Sequence, residues 1–137
     1  MIGTASAAKH DYLRDLGAIP TTYGAGLEER VRTLAPSGVD AAIDVAGSGI
    51  IPELIRIVGD PAHVLSVADF SAEQYGAKFS HGPPVNPERL FATMAELCST
   101  GAFTLRIDRT FSLDQAREAQ EVSQAGRATG KLIVRVD

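Results

Sequence analysis

A hydroxyl and a lysine lie close together near the start of the chain, where a strand-like stretch ends and a helix is predicted to begin. The opening residues read MIGTASAAKHDYLRDLGA, with Ser6 at the helix start and Lys9 in its first turn. The free amide N–H groups and the dipole of a helix N-terminus attract anions. A hydroxyl and an ammonium group added there could hold a phosphate. The competing interpretation, which spacing alone favours, is an ordinary capped helix with a solvated lysine.

The same stretch bears on which dinucleotide could bind. In dinucleotide-binding folds, an acidic residue at the end of the second strand binds the ribose 2′-hydroxyl and selects NAD. Here that segment is Gly3-Thr4-Ala5-Ser6, which contains no acid and is followed by a base. An acid would repel a 2′-phosphate, whereas a hydroxyl and an ammonium group would bind one. The residues therefore favour NADP(H) as the ligand of such a site.

Two other patterns resemble known motifs without completing them. The segment GSGIIP at 47–52 follows a predicted strand and opens a predicted helix, as a G-x-G-x-x-G fingerprint does, but Pro52 stands where the third glycine belongs. A plain strand-to-helix turn is the favoured interpretation. Tyr75 and Lys78 are three residues apart, one fewer than the catalytic pair of short-chain dehydrogenases needs to share a helical face. No catalytic residue is predicted.

The potential metal ligands are scattered. His10, His63 and His81 have no second histidine or cysteine three or four residues away, and Cys98 is the single cysteine. A zinc site needs three or four converging ligands, so no metal site is predicted. Cys98 falls within an apolar helical pattern, and we expect it to be a buried core residue.

Apolar runs and helical patterns alternate along the chain with short turns between them. The run VDAAIDVA at 39–46 is typical of a strand buried on both faces. Asn86 with Pro87 predicts a helix start, and Ser112 with Gln115 predicts a capping box. The predicted strands are Met1–Thr4, Ala18–Tyr23 (an edge strand, because of Pro20), Val39–Ala46, His63–Ala68, Lys78–Ser80, Phe103–Phe111 and Lys131–Val136. The predicted helices are Ala7–Leu16, Leu27–Ala35, Ile51–Val58, one from Pro87 through Cys98 and one from Ser112 to Gly126.

This alternation predicts an α/β fold with a mostly parallel sheet flanked by helices. In such sheets, ligands bind beyond the carboxyl ends of the strands. We therefore expect any site in the segments that follow or end the strands, namely Thr4–Ser6, Tyr23, Val45–Gly47, Val67–Asp69 and Phe79–His81.

The bulk properties narrow the class of protein. The chain has 137 residues, enough for one domain, and its 45% apolar and 22% charged content is ordinary for a globular protein. Its net charge of −4 and lack of a basic cluster argue against a nucleic-acid or polybasic membrane role. No apolar run approaches the length of a membrane span. With one cysteine and no secretory signal pattern, the predicted location is the cytoplasm.

Several segments together resemble the medium-chain dehydrogenase/reductase superfamily, in its zinc-independent, quinone-oxidoreductase-like branch. They are IGTASAAKHDYLRDLGA, GVDAAIDVAG, GDPAHVLSVADF and FSLDQAREAQEVSQAGRATGKLIVRV. The resemblance covers the whole chain but matches only the carboxyl-terminal part of those enzymes. It implies an incomplete Rossmann-like, doubly wound fold over 1–137, lacking the family's first strand, its glycine-rich turn and its substrate domain. We expect such a chain to bind NADP(H) and to be inactive alone.

The resemblance also assigns residues to a cofactor site. Ser6 and Lys9 match positions that hold the 2′-phosphate, and Tyr23 matches a tyrosine beside the adenosine ribose and phosphate. Thr22 stands where the family usually has an acid. The remaining positions lie at later strand ends, where plain packing is an equally good interpretation. They are Val45 and Ala46, where the fourth strand meets the cofactor, and Val67, Ala68 and Phe79, where the fifth and sixth strands flank the nicotinamide.

A Rossmann sheet without its central first strand should be destabilised, because several buried side chains and ladder hydrogen bonds are lost. We expect either that the family's second strand pairs directly with its fourth, or that an open edge pairs with another chain. The edge segment AKFSHG at 77–82 could also form a homodimer.

The alternative function is a non-catalytic interaction or regulatory module that keeps the fold without the nucleotide. A receiver-like signalling domain is disfavoured, because Asp44 has no paired carboxylate beside it.

Overall fold

A computed structural model describes residues 1–126 and 128–136, which belong to two compact units, one ending at Gly82 and the other beginning at Pro83. The first unit contains β1 (Ile2–Thr4), α1 (His10–Asp15), β2 (Ile19–Thr21), α2 (Leu27–Leu34), β3 (Ala42–Asp44), α3 (Ile51–Val58), β4 (Val64–Ser66) and β5 (Lys78–Phe79), with 3₁₀ turns at Ala7–Lys9, Pro61–His63 and Ala72–Tyr75. The second contains α4 (Pro87–Ser99), β6 (Ile107–Ser112), a 3₁₀ turn at Leu113–Gln115, α5 (Ala116–Gln124) and β7 (Lys131–Arg135).

Every strand pairing in the described part of the chain is parallel, as the alternating pattern predicts. In the first unit, β1 pairs with β2 in one sheet, and β3, β4 and β5 lie in that order in a second sheet. Pro20 is tolerated in β2 because this strand pairs on one side, with β1. The predicted α/β class with parallel sheets and flanking helices is confirmed.

The helix predicted over Ala7–Leu16 is divided. A 3₁₀ turn covers Ala7–Lys9, and the α-helix begins only at His10 and ends at Asp15. Ser6 precedes the turn with extended backbone, but its side chain makes no capping hydrogen bond. Gly17, with a φ of +78°, follows the helix, which stops one residue before the predicted end at Leu16. Ser6 stands at the start of the 3₁₀ turn only; the α-helix has Lys9 at its N-cap, and the expected capping hydrogen bond to the Ser6 side chain is not formed.

The core of the first unit lies between α3 and one face of the β3–β4–β5 sheet. Ile51, Val64, Ala72 and Ala77 are buried there, and Ala42, Leu54, Ile55, Val58 and Phe79 pack against them. The run Ile51–Val58 folds as the helix predicted from its apolar spacing, and it ends at Gly59, whose φ is +88°. This helix therefore supplies most of the apolar cover for the sheet.

The expectation that Val39–Ala46 is a strand buried on both faces is wrong. The strand is only Ala42–Asp44, and Ile43 and Val45 expose 66% and 73% of their surface. Alternate residues of a strand point to opposite faces. Ala42 and Asp44 point toward the side covered by α3, whereas Ile43 points the other way. A continuous apolar run shows that both faces are apolar, but it does not show what covers them.

The two sheets of the first unit are not joined by strand pairing. Among residues 1–126 and 128–136, β1 pairs only with β2, and β3 pairs only with β4, so the expected direct pairing of the family's second and fourth strands is wrong. The sheets are connected through helices instead, because α2 contacts α3. The Glu28 carboxylate binds Arg56 Nε at 3.2 Å, and the Glu28 amide lies 3.4 Å from a carboxylate oxygen of Glu53. Pairing of an open edge with another chain stays a prediction.

The second unit is a two-stranded parallel sheet, β6–β7, with α5 packed against it. The Asn86 side chain accepts a hydrogen bond from the Arg89 amide, and the Ser112–Gln115 capping box is formed, as predicted. Cys98, in contrast, is exposed rather than buried, and α4 has no buried residue. In the described residues no helix is long and apolar enough to cross a bilayer.

Two isoleucines in the first unit test the assignment of the core. Ile51 is fully buried, so Ile51→Ala should lower the free energy of unfolding by about 2–5 kcal/mol through lost burial and a residual cavity. Ile43→Ala should cost less than about 1 kcal/mol, because that side chain is mostly exposed. Urea unfolding of both variants measures the difference, and equal losses would contradict the one-sided core.

Candidate functional site

A buried carboxylate lies at the carboxyl end of β3. Asp44 is 4% exposed, and one of its oxygens, Oδ1, accepts hydrogen bonds from the amides of Ala46 (3.0 Å) and Gly47 (3.1 Å). These amides belong to the turn that follows the strand. A buried carboxylate is costly unless it is hydrogen-bonded, and the turn provides those bonds. Asp44 therefore fixes the turn at 45–47.

The second oxygen of Asp44 joins this turn to the next strand. Ser66, fully buried at the end of β4, donates its hydroxyl to Asp44 Oδ2 at 2.8 Å. The same Ser66 oxygen accepts hydrogen bonds from the amides of Ala68 (3.1 Å) and Asp69 (2.8 Å). Two side chains thus order two adjacent turns at the carboxyl edge of the sheet. The sequence signal was a polar residue near the end of each apolar strand, since a buried polar group needs a partner.

The two turns also approach each other closely. Gly47 has a φ of +66°, and a Cβ at this position would lie 2.8 Å from the carbonyl oxygen of Ala68. Only glycine fits both the backbone conformation and the space. The segment GSGIIP is therefore a strand-to-helix turn, as favoured from the sequence, in which the first glycine permits the contact.

Five of the residues predicted for the cofactor lie at this edge of the second sheet. Asp44 and Ser66 are register partners, so the turns that follow them are adjacent. Val45 and Val67 are exposed by 73% and 49%. The five residues are Val45 and Ala46 in the first turn, Val67 and Ala68 in the second, and Phe79 in β5, opposite Ser66.

Phe79 lies within a row of aromatic rings at the same edge. Its ring centroid is 4.9 Å from that of Phe70 in a tilted arrangement and 5.2 Å from the imidazole of His81 in a stacked one. Phe70 is 83% exposed. The edge therefore presents apolar and aromatic surface on a framework of buried hydrogen bonds, which suits a planar ring.

The other three predicted residues, Ser6, Lys9 and Tyr23, lie at the carboxyl edge of the β1–β2 sheet. The Ala5 amide donates to the Thr21 carbonyl at 3.0 Å, so the segments holding Ser6 and Tyr23 leave adjacent strands side by side. Tyr23 is 62% exposed, and Ser6 and Lys9 are partly exposed. The eight predicted residues thus fall into two groups, one on each sheet of the first unit.

Asp44 and Ser66 are not among the residues predicted for the site, and neither is Arg30 on α2. Its guanidinium group donates hydrogen bonds to carbonyls of the loop that holds Tyr23.

The described residues contain no group of three or more histidine, cysteine, aspartate or glutamate side chains that could hold a metal ion.

A family model described as zinc-binding dehydrogenase matches residues 22–134 of the chain. No match was found among curated proteins. Among solved structures, a quinone oxidoreductase from Coxiella burnetii shares 27% identity, with a TM-score of 0.77, over 99% of this chain and 44% of its own.

Two further structures support the fold alone. An NAD-dependent alcohol dehydrogenase is 20% identical, with a TM-score of 0.79, over 99% of this chain and 43% of its own. An alcohol dehydrogenase superfamily protein from Novosphingobium aromaticivorans is 24% identical, with a TM-score of 0.77, over 99% of this chain and 48% of its own. The chain thus spans less than half the length of these structural relatives.

Ser66→Ala tests the hydrogen-bond network. The substitution leaves the Ala68 and Asp69 amides without their acceptor and removes a donor from Asp44, so it should lower the free energy of unfolding by about 1–3 kcal/mol. Ser99→Ala is the control, because that exposed hydroxyl donates to the Glu96 carbonyl at the end of a helix. Urea unfolding measures both, and a Ser66→Ala loss no larger than that of the control would contradict the network.

The turn after β4 also contains a carboxylate with an altered acidity. Hydrogen bonds from the Ser71 hydroxyl and the Ser71 amide lower the pKa of Asp69, and desolvation opposes them in part. A lowered folded-state pKa stabilises the fold above the unfolded-state value, and this contribution is lost as pH falls through the folded-state pKa. Acidification from the unfolded-state pKa of Asp69 through its lower folded-state pKa should therefore lower the free energy of unfolding.

Ser71→Ala should raise the pKa of Asp69 toward its ordinary value, because the hydroxyl bond at 2.6 Å is the largest cause of the shift. Ser71→Thr, which keeps a hydroxyl, should retain the lowered pKa. Carboxyl ¹³C NMR titration of Asp69 in the three proteins decides the outcome. An unchanged pKa in Ser71→Ala would show that the hydroxyl bond does not control this group.

Proposed function

Because the chain belongs to the zinc-binding dehydrogenase family, within the medium-chain dehydrogenase/reductase superfamily, we propose that it is the NADP(H)-binding portion of a quinone- or enone-reducing oxidoreductase. A dehydrogenase family implies a nicotinamide nucleotide. The observation that carries the proposal is the pair of turns after β3 and β4, ordered by Asp44 and Ser66 at the carboxyl edge of a parallel sheet. Ligands of open α/β sheets bind at that edge.

The proposed nicotinamide end of the site is the group of predicted residues on the β3–β4–β5 sheet. These are Val45, Ala46, Val67, Ala68 and Phe79. Val45 and Val67 supply exposed apolar surface that can contact a flat ring and exclude water from it, whereas Ala68 and Phe79 are partly buried. The nicotinamide ring supplies the hydride chemistry when bound. The residues of this chain position the ring, and no catalytic residue is assigned among them.

The proposed adenosine end is the group of predicted residues on the β1–β2 sheet, namely Ser6, Lys9 and Tyr23. Preference for NADP(H) is supported by the lack of an acid in Gly3–Ser6 and by the Ser6 hydroxyl, which the following helical turn does not use for capping. One structural relative is titled NAD-dependent, so the choice rests on the residues of this chain. A hydroxyl and an ammonium group at the end of β1 suit a 2′-phosphate.

The proposed chemistry does not use zinc, and the chain alone is proposed to bind cofactor without turnover. The described residues offer no cluster of metal ligands. The Coxiella burnetii relative, at 27% identity, is titled a quinone oxidoreductase. This chain spans 44% of that relative. The electron acceptor and the activity of a whole enzyme are therefore proposed and not taken over from the relative.

The partners and location belong to the proposal as well. The proposed ligand is a nucleotide, and the proposed assembly is a homodimer that forms through the exposed edge of β5. We propose no nucleic-acid or membrane partner, and a cytoplasmic location.

The second candidate function is a non-catalytic module that keeps the fold without the nucleotide. The feature favouring it is Pro52, which stands in GSGIIP where a pyrophosphate-binding G-x-G-x-x-G turn has its third glycine.

Lys9→Glu separates the two functions. If Lys9 holds the 2′-phosphate, reversing its charge should weaken NADPH binding about tenfold or more and leave NADH binding within about twofold. Arg117→Glu, an exposed reversal of the same size in α5, should leave both affinities unchanged. Isothermal titration calorimetry of the unsubstituted chain and the two variants with NADPH and NADH measures the six affinities.

Two results would contradict the proposal. If the unsubstituted chain binds neither nucleotide at millimolar concentration, the non-catalytic module is supported. If Lys9→Glu weakens NADPH and NADH equally, the nucleotide site stands and the proposed 2′-phosphate contact is wrong.

A further inference from the structure

Arg30 binds several carbonyl groups of a single loop. From the second turn of α2, its Nη1 donates to the Ala25 carbonyl at 2.8 Å, and its Nη2 donates to the carbonyls of Thr22 (2.9 Å) and Gly24 (3.1 Å). These three acceptors lie within four consecutive residues. Hydrogen bonds from a charged donor are stronger than those between neutral groups. One side chain thus contacts most of the loop that follows β2.

The guanidinium group is suited to this role. Its planar fork can address several acceptors at fixed angles, whereas a lysine ammonium group is a single point of charge. The Arg30 Nε is buried and has no hydrogen-bond partner within the described residues. An unsatisfied buried donor destabilises this side-chain orientation. The hydrogen bonds from the two Nη groups to the loop carbonyls offset that cost and hold the side chain in place.

The loop has little else to hold it. Residues 23–26 are exposed, and Gly24 and Gly26 adopt positive φ values of +84° and +78°. Two backbone bonds link the loop to α2, from the Leu27 amide to the Gly24 carbonyl and from the Arg30 amide to the Gly26 carbonyl. No loop side chain from 23 to 26 is buried in the core. The conformation of the loop therefore depends on its carbonyl bonds to Arg30.

We propose that Arg30 is a positioning residue that fixes the loop holding Tyr23 and thereby sets the affinity for the adenosine-phosphate end of NADP(H). This inference rests on the proposed function, since it acts through Tyr23. Arg30 itself does not touch the nucleotide; its donors are directed at Thr22, Gly24 and Ala25.

The test compares substitutions at two arginines of the same helix. Arg30→Met keeps the length of the side chain without the guanidinium group, Arg30→Lys keeps the charge alone, and Arg32→Lys is the matched control. Arg32 pairs with Glu28 at 2.7 Å on the outer side of α2, where its side chain is 73% exposed. Each protein is titrated with 2′,5′-ADP, which probes the adenosine end, and with nicotinamide mononucleotide, which probes the other end.

Arg30→Met should weaken 2′,5′-ADP binding about tenfold and change nicotinamide mononucleotide binding less than about twofold, with Arg30→Lys between Arg30→Met and the unsubstituted chain. Arg32→Lys should change neither affinity. Amide hydrogen exchange at Leu27, whose amide donates to the Gly24 carbonyl, should accelerate in Arg30→Met, which reports on the loop without any ligand.

Each other result overturns a definite part of the account. Equal weakening of both ligands in Arg30→Met shows a general structural role, and unchanged 2′,5′-ADP affinity shows that the loop does not set binding; either outcome overturns the inference while the proposed function stands. If the unsubstituted chain binds neither ligand, the proposed function fails and the inference fails with it.

Discussion

The interaction on which the candidate site depends is the hydrogen bond between two buried side chains, Asp44 and Ser66, at the ends of adjacent parallel strands. Each group also binds two backbone amides of its neighbourhood, so a carboxylate and a hydroxyl order two turns at once. Leaving either group unpaired in the interior would cost more than the bond itself contributes. The turns are therefore rigid where they present Val45, Ala46, Val67 and Ala68, and rigidity before binding is what a cofactor site requires.

The first sheet achieves order at its carboxyl edge by other means. There, the segment after β1 is partly exposed and residues 23–26 are exposed, and the loop after β2 is held by an arginine from the following helix rather than by a buried carboxylate. The two sheets share no strand pairing among the residues described and are connected through α2 and α3. A dinucleotide with two unlike ends would suit such a division, since one end is a flat nicotinamide ring and the other an adenosine, which in NADP(H) carries an additional phosphate.

Local signals in the sequence predicted much of the fold. Asn86 before Pro87 and the Ser112–Gln115 box mark helix starts correctly, because caps depend on residues a few positions apart. The exposure of Ile43 and Cys98 was not predicted, because apolar character does not reveal what covers a face. The Asp44–Ser66 bond joins residues that are 22 positions apart. Only the strand register brings them together, and the isolated polar positions in two apolar strands were the available clue.

The central claim is that the turns at the carboxyl edges of both sheets bind a nicotinamide nucleotide. Its most direct test is a ¹H–¹⁵N NMR spectrum of the full chain recorded during addition of NADPH. If these turns bind the nucleotide, the largest shift changes fall on the amides of residues 45–47, 67–69, 4–6 and 22–26. Saturable changes that lie elsewhere, with the amides of Gly47 and Asp69 unmoved, would contradict the central claim.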